Sequence, residues 1–179
     1  MTTIAIVDDE PNILNALKRT LRRQGWNIVT YSDPLLALNE LTELHFELII
    51  SDFRMPSMNG VELLLKLKKF RPDAIRIVLS GQSDMKAVLD AINKAEVYRF
   101  ILKPWNDDEL VMTLVNALKY ADLLQENKQL AETVRLQRSK LEKQIAELKR
   151  LEKESPGITR VNFDKEGMID LSDEYNAED

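Results

Sequence analysis

Leu48-Ile49-Ile50-Ser51 is an unbroken apolar run that stops on a carboxylate, Asp52, with Phe53-Arg54-Met55-Pro56 behind it. A short run rich in Ile, without polar alternation, reads as a strand buried on both faces, as in parallel sheets. Similar runs at 3–7, 27–31, 75–79 and 98–102 make five predicted strands. Between them, 12–23, 34–43, 60–70 and 83–94 carry apolar residues at i, i+3, i+4 spacing, the mark of amphipathic helices. Asp33 before Pro34, and Ser83 before Asp84, stand where helix N-caps are expected. Strands alternating with helices across short connections predict a doubly wound α/β fold, a five-stranded parallel sheet covered on both faces.

Composition narrows the chemistry. The chain has 179 residues, 25 Lys+Arg against 30 Asp+Glu, one His and no Cys. Without Cys there is no disulfide framework, Cys-ligated zinc or thiol nucleophile, and His45 alone leaves no room for a His-based metal site or triad. Five glycines, at 25, 60, 81, 157 and 167, fit neither a dinucleotide-binding nor a P-loop pattern. No apolar run approaches a membrane span and no leader is visible, so a cytoplasmic, membrane-free protein is expected. The net charge of −5 resides in the tail: residues 164–179 hold 1 basic and 7 acidic side chains, while 1–104 hold 14 and 13. Residues 1–104 are close to neutral, and no nucleic-acid binding is expected from this chain.

From Asp107 to Glu154 the chain has neither Gly nor Pro and is heavy in Leu, Glu, Lys and Gln, predicting one long helix of about 70 Å at 1.5 Å per residue. Leu123, Leu130, Val134, Leu141, Leu148 and Leu151 fit a heptad seam with Asn127 at an a position and Gln137 and Gln144 at d. A second seam through Leu124, Ala131 and Ile145 lies one residue away, leaving the register open. A coiled coil that makes a homodimer is preferred over a lone surface helix, because this helix outruns a domain of about 105 residues. Ser155-Pro156-Gly157 ends it. The domain reading is 1–120 for the α/β domain, 107–154 for the helix continuing it, and 155–179 for a tail with a short hairpin around 164–167 and a disordered acidic end.

In doubly wound sheets ligands collect beyond the carboxyl ends of the strands. There the sequence puts Asp8, Asp9 and Glu10 after the first strand, Asp52 after the third, Ser80 after the fourth and Lys103 after the fifth. Clustered carboxylates repel one another and suit a hard divalent cation, Mg²⁺ best. With it, one Asp can stay ionised and attack phosphorus while Lys103 and Ser80 donate to phosphoryl oxygens, so the chemistry points to phosphoryl transfer onto an Asp. Taken singly, Asp9 or Glu10 could be a helix cap, Asp52 a turn residue, Lys103 a solvated lysine and Ser80 part of a turn. Their joint placement at four strand ends favours the site.

The stretches IAIVDDEP (4–11), LIISDFRMPSMNG (48–60), IVLSGQSD (77–84) and YRFILKPW (98–105) together resemble a response-regulator receiver domain over residues 1 to about 120. Their wording is similar to receivers ahead of HD-type cyclic-di-GMP phosphodiesterases and of hydrogenase-type transcription regulators. The resemblance implies that Asp52 accepts a phosphoryl group from a sensor histidine kinase or phosphotransfer protein. It also implies that Asp9 and Asp52, with the main-chain carbonyl of Arg54, bind Mg²⁺, and that Asp8 helps through water. Ser80 and Lys103 would contact the phosphoryl group, Lys103–Pro104 would be cis, and Phe100 would be the switch aromatic that follows Ser80. Arg54 and Gln82 stand at variable positions expected to set the lifetime of the aspartyl phosphate. Asn59 replaces the more usual Asp before Gly60, a change expected to affect only the turn.

Three functions compete. The first is a response regulator, not an enzyme beyond its own phosphorylation and dephosphorylation. It would repack the face around 83–94 and the fifth strand, and signal to a protein partner through the dimerising helix. The second is the N-terminal regulatory part of a larger signalling enzyme or transcription regulator. The third, a phosphatase of the haloacid-dehalogenase type, needs a second Asp two residues after the nucleophile on the first strand, and Asp52-Phe53-Arg54 does not supply it.

Overall fold

The computed structural model describes residues 2–81 and 96–155. Five strands, β1 (Thr3–Val7), β2 (Asn27–Tyr31), β3 (Leu48–Asp52), β4 (Ile75–Ser80) and β5 (Arg99–Leu102), form one sheet in the order β2-β1-β3-β4-β5. Every adjacent pair is parallel. The helices are α1 (Pro11–Leu21), α2 (Pro34–Leu41), α3 (Gly60–Lys68) and α4 (Asp107–Glu154), with a 3₁₀ turn at Arg22–Gln24 closing α1. The doubly wound fold expected from the sequence is the fold observed. Two strand ends move by one residue in a way that matters: Asp52 and Ser80 are the last residues of β3 and β4 rather than the residues after them. The expected helix at 83–94 with its Ser83 cap, Gln82, and the expected hairpin and acidic end at 156–179 lie outside the described residues.

The strands alternate between two cores. Ala5, Val7, Ile49 and Val78 pack with Leu63, Leu64 and Leu67 of α3 and with Ala37 and Leu41 of α2. Ile4, Ile6, Leu48, Ile50, Ile77 and Leu79 pack with Leu14, Leu17 and Leu21 of α1 and with Leu110, Leu114 and Ala117 of α4. Burial on both faces is why these strands read as continuous apolar runs. The caps are local: Asp33 accepts the N–H of Leu35, Asn59 that of Glu62, and Asn106 those of Asp108 and Glu109. Glu10, at the N-cap of α1, makes no capping side-chain bond, and Pro11 supplies the first turn instead.

The chain divides between Asn127 and Lys128 into two compact units. In the first, α4 contributes Leu110, Leu114 and Ala117 to the core. Along the rest of the helix the predicted seam residues Leu123, Leu130, Val134, Leu141 and Leu148 are exposed, as are Leu124 and Ile145 of the offset seam. Leu151 is half-buried. Within the described residues no helix is long and apolar enough to cross a membrane.

Candidate functional site

The order β2-β1-β3 means that the chain leaves β1 in one direction and returns on its other side, opening a crevice above the carboxyl ends of β1 and β3. The period of two along a strand decides which side chains meet there. Residues 6 and 8, 50 and 52, and 101 and 103 share parity, and Ile6, Ile50 and Ile101 all face the α1 and α4 core. Asp8, Asp52 and Lys103 continue those three rows past the core to its rim. The β1–β3 register pairs Val7 with Ser51, so Asp8 and Asp52 come level.

Lys103 joins the two acids. Its Nζ donates to Asp8 Oδ2 at 2.7 Å and lies 2.6 Å from Asp52 Oδ1, with Glu10 Oε1 farther off at 3.7 Å. The remaining carboxylate oxygens are held by backbone: the Glu10 N–H donates to Asp8 Oδ1 at 2.9 Å, and the Arg54 N–H to Asp52 Oδ2 at 2.8 Å. Asp8 is fully buried and Asp52 nearly so. Burial pushes both carboxyls above their usual range. Lys103 and the two N–H donors pull them back, and repulsion adds to the rise, from Asp52 on Asp8 and from Asp9 on Asp52. For Lys103 burial alone would lower the ammonium, but hydrogen bonds and charge from Asp52 and Asp8 outweigh it and hold it above the ordinary lysine value. Two buried acids thus share one cation, leaving a net negative site.

Ser80 is also buried, and its Oγ donates to the Gly81 carbonyl at 3.1 Å. By parity it belongs to the other face of the sheet, with Val78 and half-buried Phe100. The Lys103 N–H donates to the Ser80 carbonyl at 2.8 Å, tying the end of β5 to that of β4. The Lys103–Pro104 bond is cis, as the sequence implied. Asp9 is half-buried, and its proximity is felt through the repulsion at Asp52. His45 is exposed near Glu47, away from these residues.

Sequence reading gave Gly60 no structural task, yet a Cβ there would stand 2.0 Å from the Asp52 carbonyl oxygen and 2.7 Å from Ser51 Oγ. The α3 N-terminus can come that close to the end of β3 only because residue 60 lacks a side chain. A glycine directly after an Asn cap, eight residues beyond a strand-end Asp, is the readable signal. Arg76, buried in β4 beside Glu96, was missed as well; Glu96 also binds Lys68 at 2.6 Å, a cluster at the amino ends of the strands and away from the crevice.

Among the described residues no group of three or more His, Cys, Asp and Glu side chains is arranged to hold a metal ion, and Lys103 Nζ lies against both Asp8 and Asp52. The donors themselves suit Mg²⁺: carboxylate and carbonyl oxygens only, with one more negative charge than Lys103 neutralises.

A parallel α/β sheet carrying two acids at the carboxyl ends of adjacent strands β1 and β3, with a lysine reaching them from the end of β5, defines a doubly wound domain with a carboxylate-centred site. Residues 4–115 match the response regulator receiver domain, and the chain belongs to that family. It is 36% identical over 117 residues to the hydrogenase transcriptional regulatory protein HoxA of Cupriavidus necator, covering 65% of this chain and 24% of HoxA. Among solved structures it resembles an uncharacterized protein from Neptuniibacter caesariensis, at 44% identity and a TM-score of 0.67, covering 70% of this chain and 93% of that one. The signal receiver domain of an HD domain-containing protein from Pseudomonas fluorescens Pf-5 matches at 34% identity and a TM-score of 0.66, covering 70% and 92%. The chain spans about a quarter of the length of the first curated relatives it matches, 24% to 28% of each.

Proposed function

We propose that this chain is a phosphorylation-controlled switch whose phosphoryl acceptor is Asp52, loaded in the cytoplasm by a sensor histidine kinase or a phosphotransfer protein. The observation that carries the reading is Lys103 Nζ bridging Asp52 and Asp8 at the carboxyl ends of the central strands. A buried carboxylate kept ionised by a lysine is a nucleophile with a cation already beside it. An Asp52 oxygen attacks phosphorus, the bond from phosphorus to the donor nitrogen breaks, and its electron pair leaves with the donor. Asp8, Asp9 and Asp52, with the Arg54 carbonyl, would hold Mg²⁺, which when bound supplies positive charge to the phosphoryl oxygens.

Lys103 and Ser80 then change partners. The ammonium turns from the Asp52 carboxylate to a phosphoryl oxygen, and the Ser80 hydroxyl gives up the Gly81 carbonyl for another. Phe100, half-buried on the same face as Ser80, follows into the space released. Arg54 and Gln82, at the positions that the resemblance marks as variable, tune the lifetime of the phosphoryl group; replacing both by Ala should change the rate of dephosphorylation. The chain acts as a signalling domain rather than an enzyme on external substrates. Its output passes through α4, which joins two copies by its exposed seam and presents them to a protein partner.

Incubation with a small-molecule acyl phosphate and Mg²⁺ should add one phosphoryl mass to the wild type and none to Asp52→Asn. Modification that persists in Asp52→Asn sinks the assignment. A second reading, a regulatory piece of a larger regulator, is favoured by the coverage of HoxA, 24% of its length. It shares the phosphoacceptor and differs only in what α4 is attached to.

A further inference from the structure

The unused feature is the exposed side of α4, whose direction of pairing the apolar seam alone leaves open. We propose that α4 pairs antiparallel with α4 of a second copy, about a two-fold axis at Glu132; this rests on the dimer reading above. With the seam through Leu123, Leu130, Val134 and Leu141, the parallel and antiparallel alignments can be compared from the residues on it and those that flank it.

In a parallel pair each a or d residue meets its own counterpart, and each g residue faces the e residue five positions on in the other helix. That gives Lys119 to Leu124, Glu126 to Ala131, Thr133 to Arg138, Lys140 to Ile145 and Glu147 to Glu152. No opposite charges meet, and one acidic pair repels, twice by symmetry. Asn127, Gln137 and Gln144 each stack on themselves.

In an antiparallel pair a faces d, and g flanks g. With the axis at Glu132, Leu123 meets Leu141 and Leu130 meets Val134, so apolar layers meet apolar ones. Asn127 meets Gln137, and the Tyr120 phenol meets Gln144, so polar layers meet polar ones. The flanks become Lys119 to Glu147 and Glu126 to Lys140, four opposite-charge pairs over the dimer. Moving the axis half a heptad toward the C-terminus sets Glu126 against Glu147, and moving it as far the other way sets Lys119 against Lys140. Charge therefore singles out one register.

The side chains are placed for it. Lys119, Glu126 and Lys140 make no ion pair among the described residues, while Glu147 has only the exposed Arg150 beside it at 3.0 Å. Each pair alone is weak at a surface, so the selection comes from four attractive pairs replacing two repulsive ones. Leu148 and Leu151 fall opposite Asn116 and Thr113 of the second copy, where Met112 is 61% exposed and offers Leu151 an apolar neighbour. The offset apolar residue Leu124 stands on the e flank, which in this orientation meets the partner's e flank and sets Leu124 beside Arg138 and Ala131 beside its own counterpart.

The absence of Cys makes the test direct. Asn127→Cys and Gln137→Cys are made separately in the full chain, one of them tagged, and oxidised alone and mixed, with mass by light scattering alongside. A disulfide needs Cα atoms within about 7 Å. In the antiparallel pair each Cys lies 10 residues from its own counterpart, about 15 Å along the helix, so the expected disulfide joins the two different variants and neither variant to itself. Lys140→Glu should weaken self-association about tenfold, and adding Glu126→Lys should restore it. Self-crosslinking of Asn127→Cys and of Gln137→Cys with a dimeric mass overturns the orientation and leaves the dimer standing. A monomeric mass for the wild type at every concentration overturns the dimer, and the orientation with it.

Discussion

The two ends of α4 are built from the same residue types and meet opposite fates. Leu110, Leu114 and Ala117 are buried against α1 and the sheet, while Leu130, Val134 and Leu141 lie more than half exposed. Leucine at helical spacing therefore says only that one side of a helix wants cover. Strand neighbours at the right distance in sequence supply that cover for the first turns, and beyond them the described residues supply none. The contrast separates a region whose stability is internal from one whose apolar face is available for recognition.

The largest way to break the contrast is inside the receiver. Lys103→Ala leaves Asp8 and Asp52 buried without their cation and should cost about 3–5 kcal/mol in urea unfolding, with self-association through α4 unchanged in the folded fraction. Leu130→Pro acts from the other side. It costs about 3 kcal/mol of helix stability, should abolish dimers in light scattering, and should leave phosphorylation of Asp52 intact.

A smaller effect reads the charge balance at the site. Burial raises the Asp52 carboxyl, so the folded protein binds that proton more tightly than the unfolded chain does. The penalty for ionised Asp52 is complete above its raised native pKa and gone below its unfolded value. Asp52→Asn should then melt higher than wild type at neutral pH, in chelator, with the gap closing on acidification. A gap that widens toward acid would contradict the balance described. Smallest is Asp33→Ala, which removes the α2 cap and should cost about 1 kcal/mol in the receiver and nothing in the dimer.

Most of the fold was legible because strands buried on both faces have an unambiguous pattern, and because Pro and Asp mark where α2 begins. The site was legible because its residues stand immediately at strand ends. The cation arrangement was less so: the strand-end acids Asp8, Asp9, Glu10 and Asp52 could be seen to need a positive charge, but the side-chain lengths that let one lysine reach two of them appear only with coordinates. Gly60 and the Arg76–Glu96 pair escaped because close approach of backbone and burial of an arginine depend on distances between elements. Asn106, three residues before Glu109 and followed by Asp107 and Asp108, carries the signature of a helix cap that the sequence reading did not use.

The bridge from Lys103 to Asp8 and Asp52 also has an order in time. During synthesis the two acids emerge first, and β1 and β3 can align them long before Lys103 emerges, fifty-one residues after Asp52. Until then the half-made sheet carries two like charges at its rim and no lysine to quiet them. Arrival of the last strand completes the edge and offsets part of the charge at the rim together, so a ribosome-bound domain lacking β5 is both unfinished and electrostatically unsettled. The residue that prepares the protein to receive a signal is the one that closes its folding.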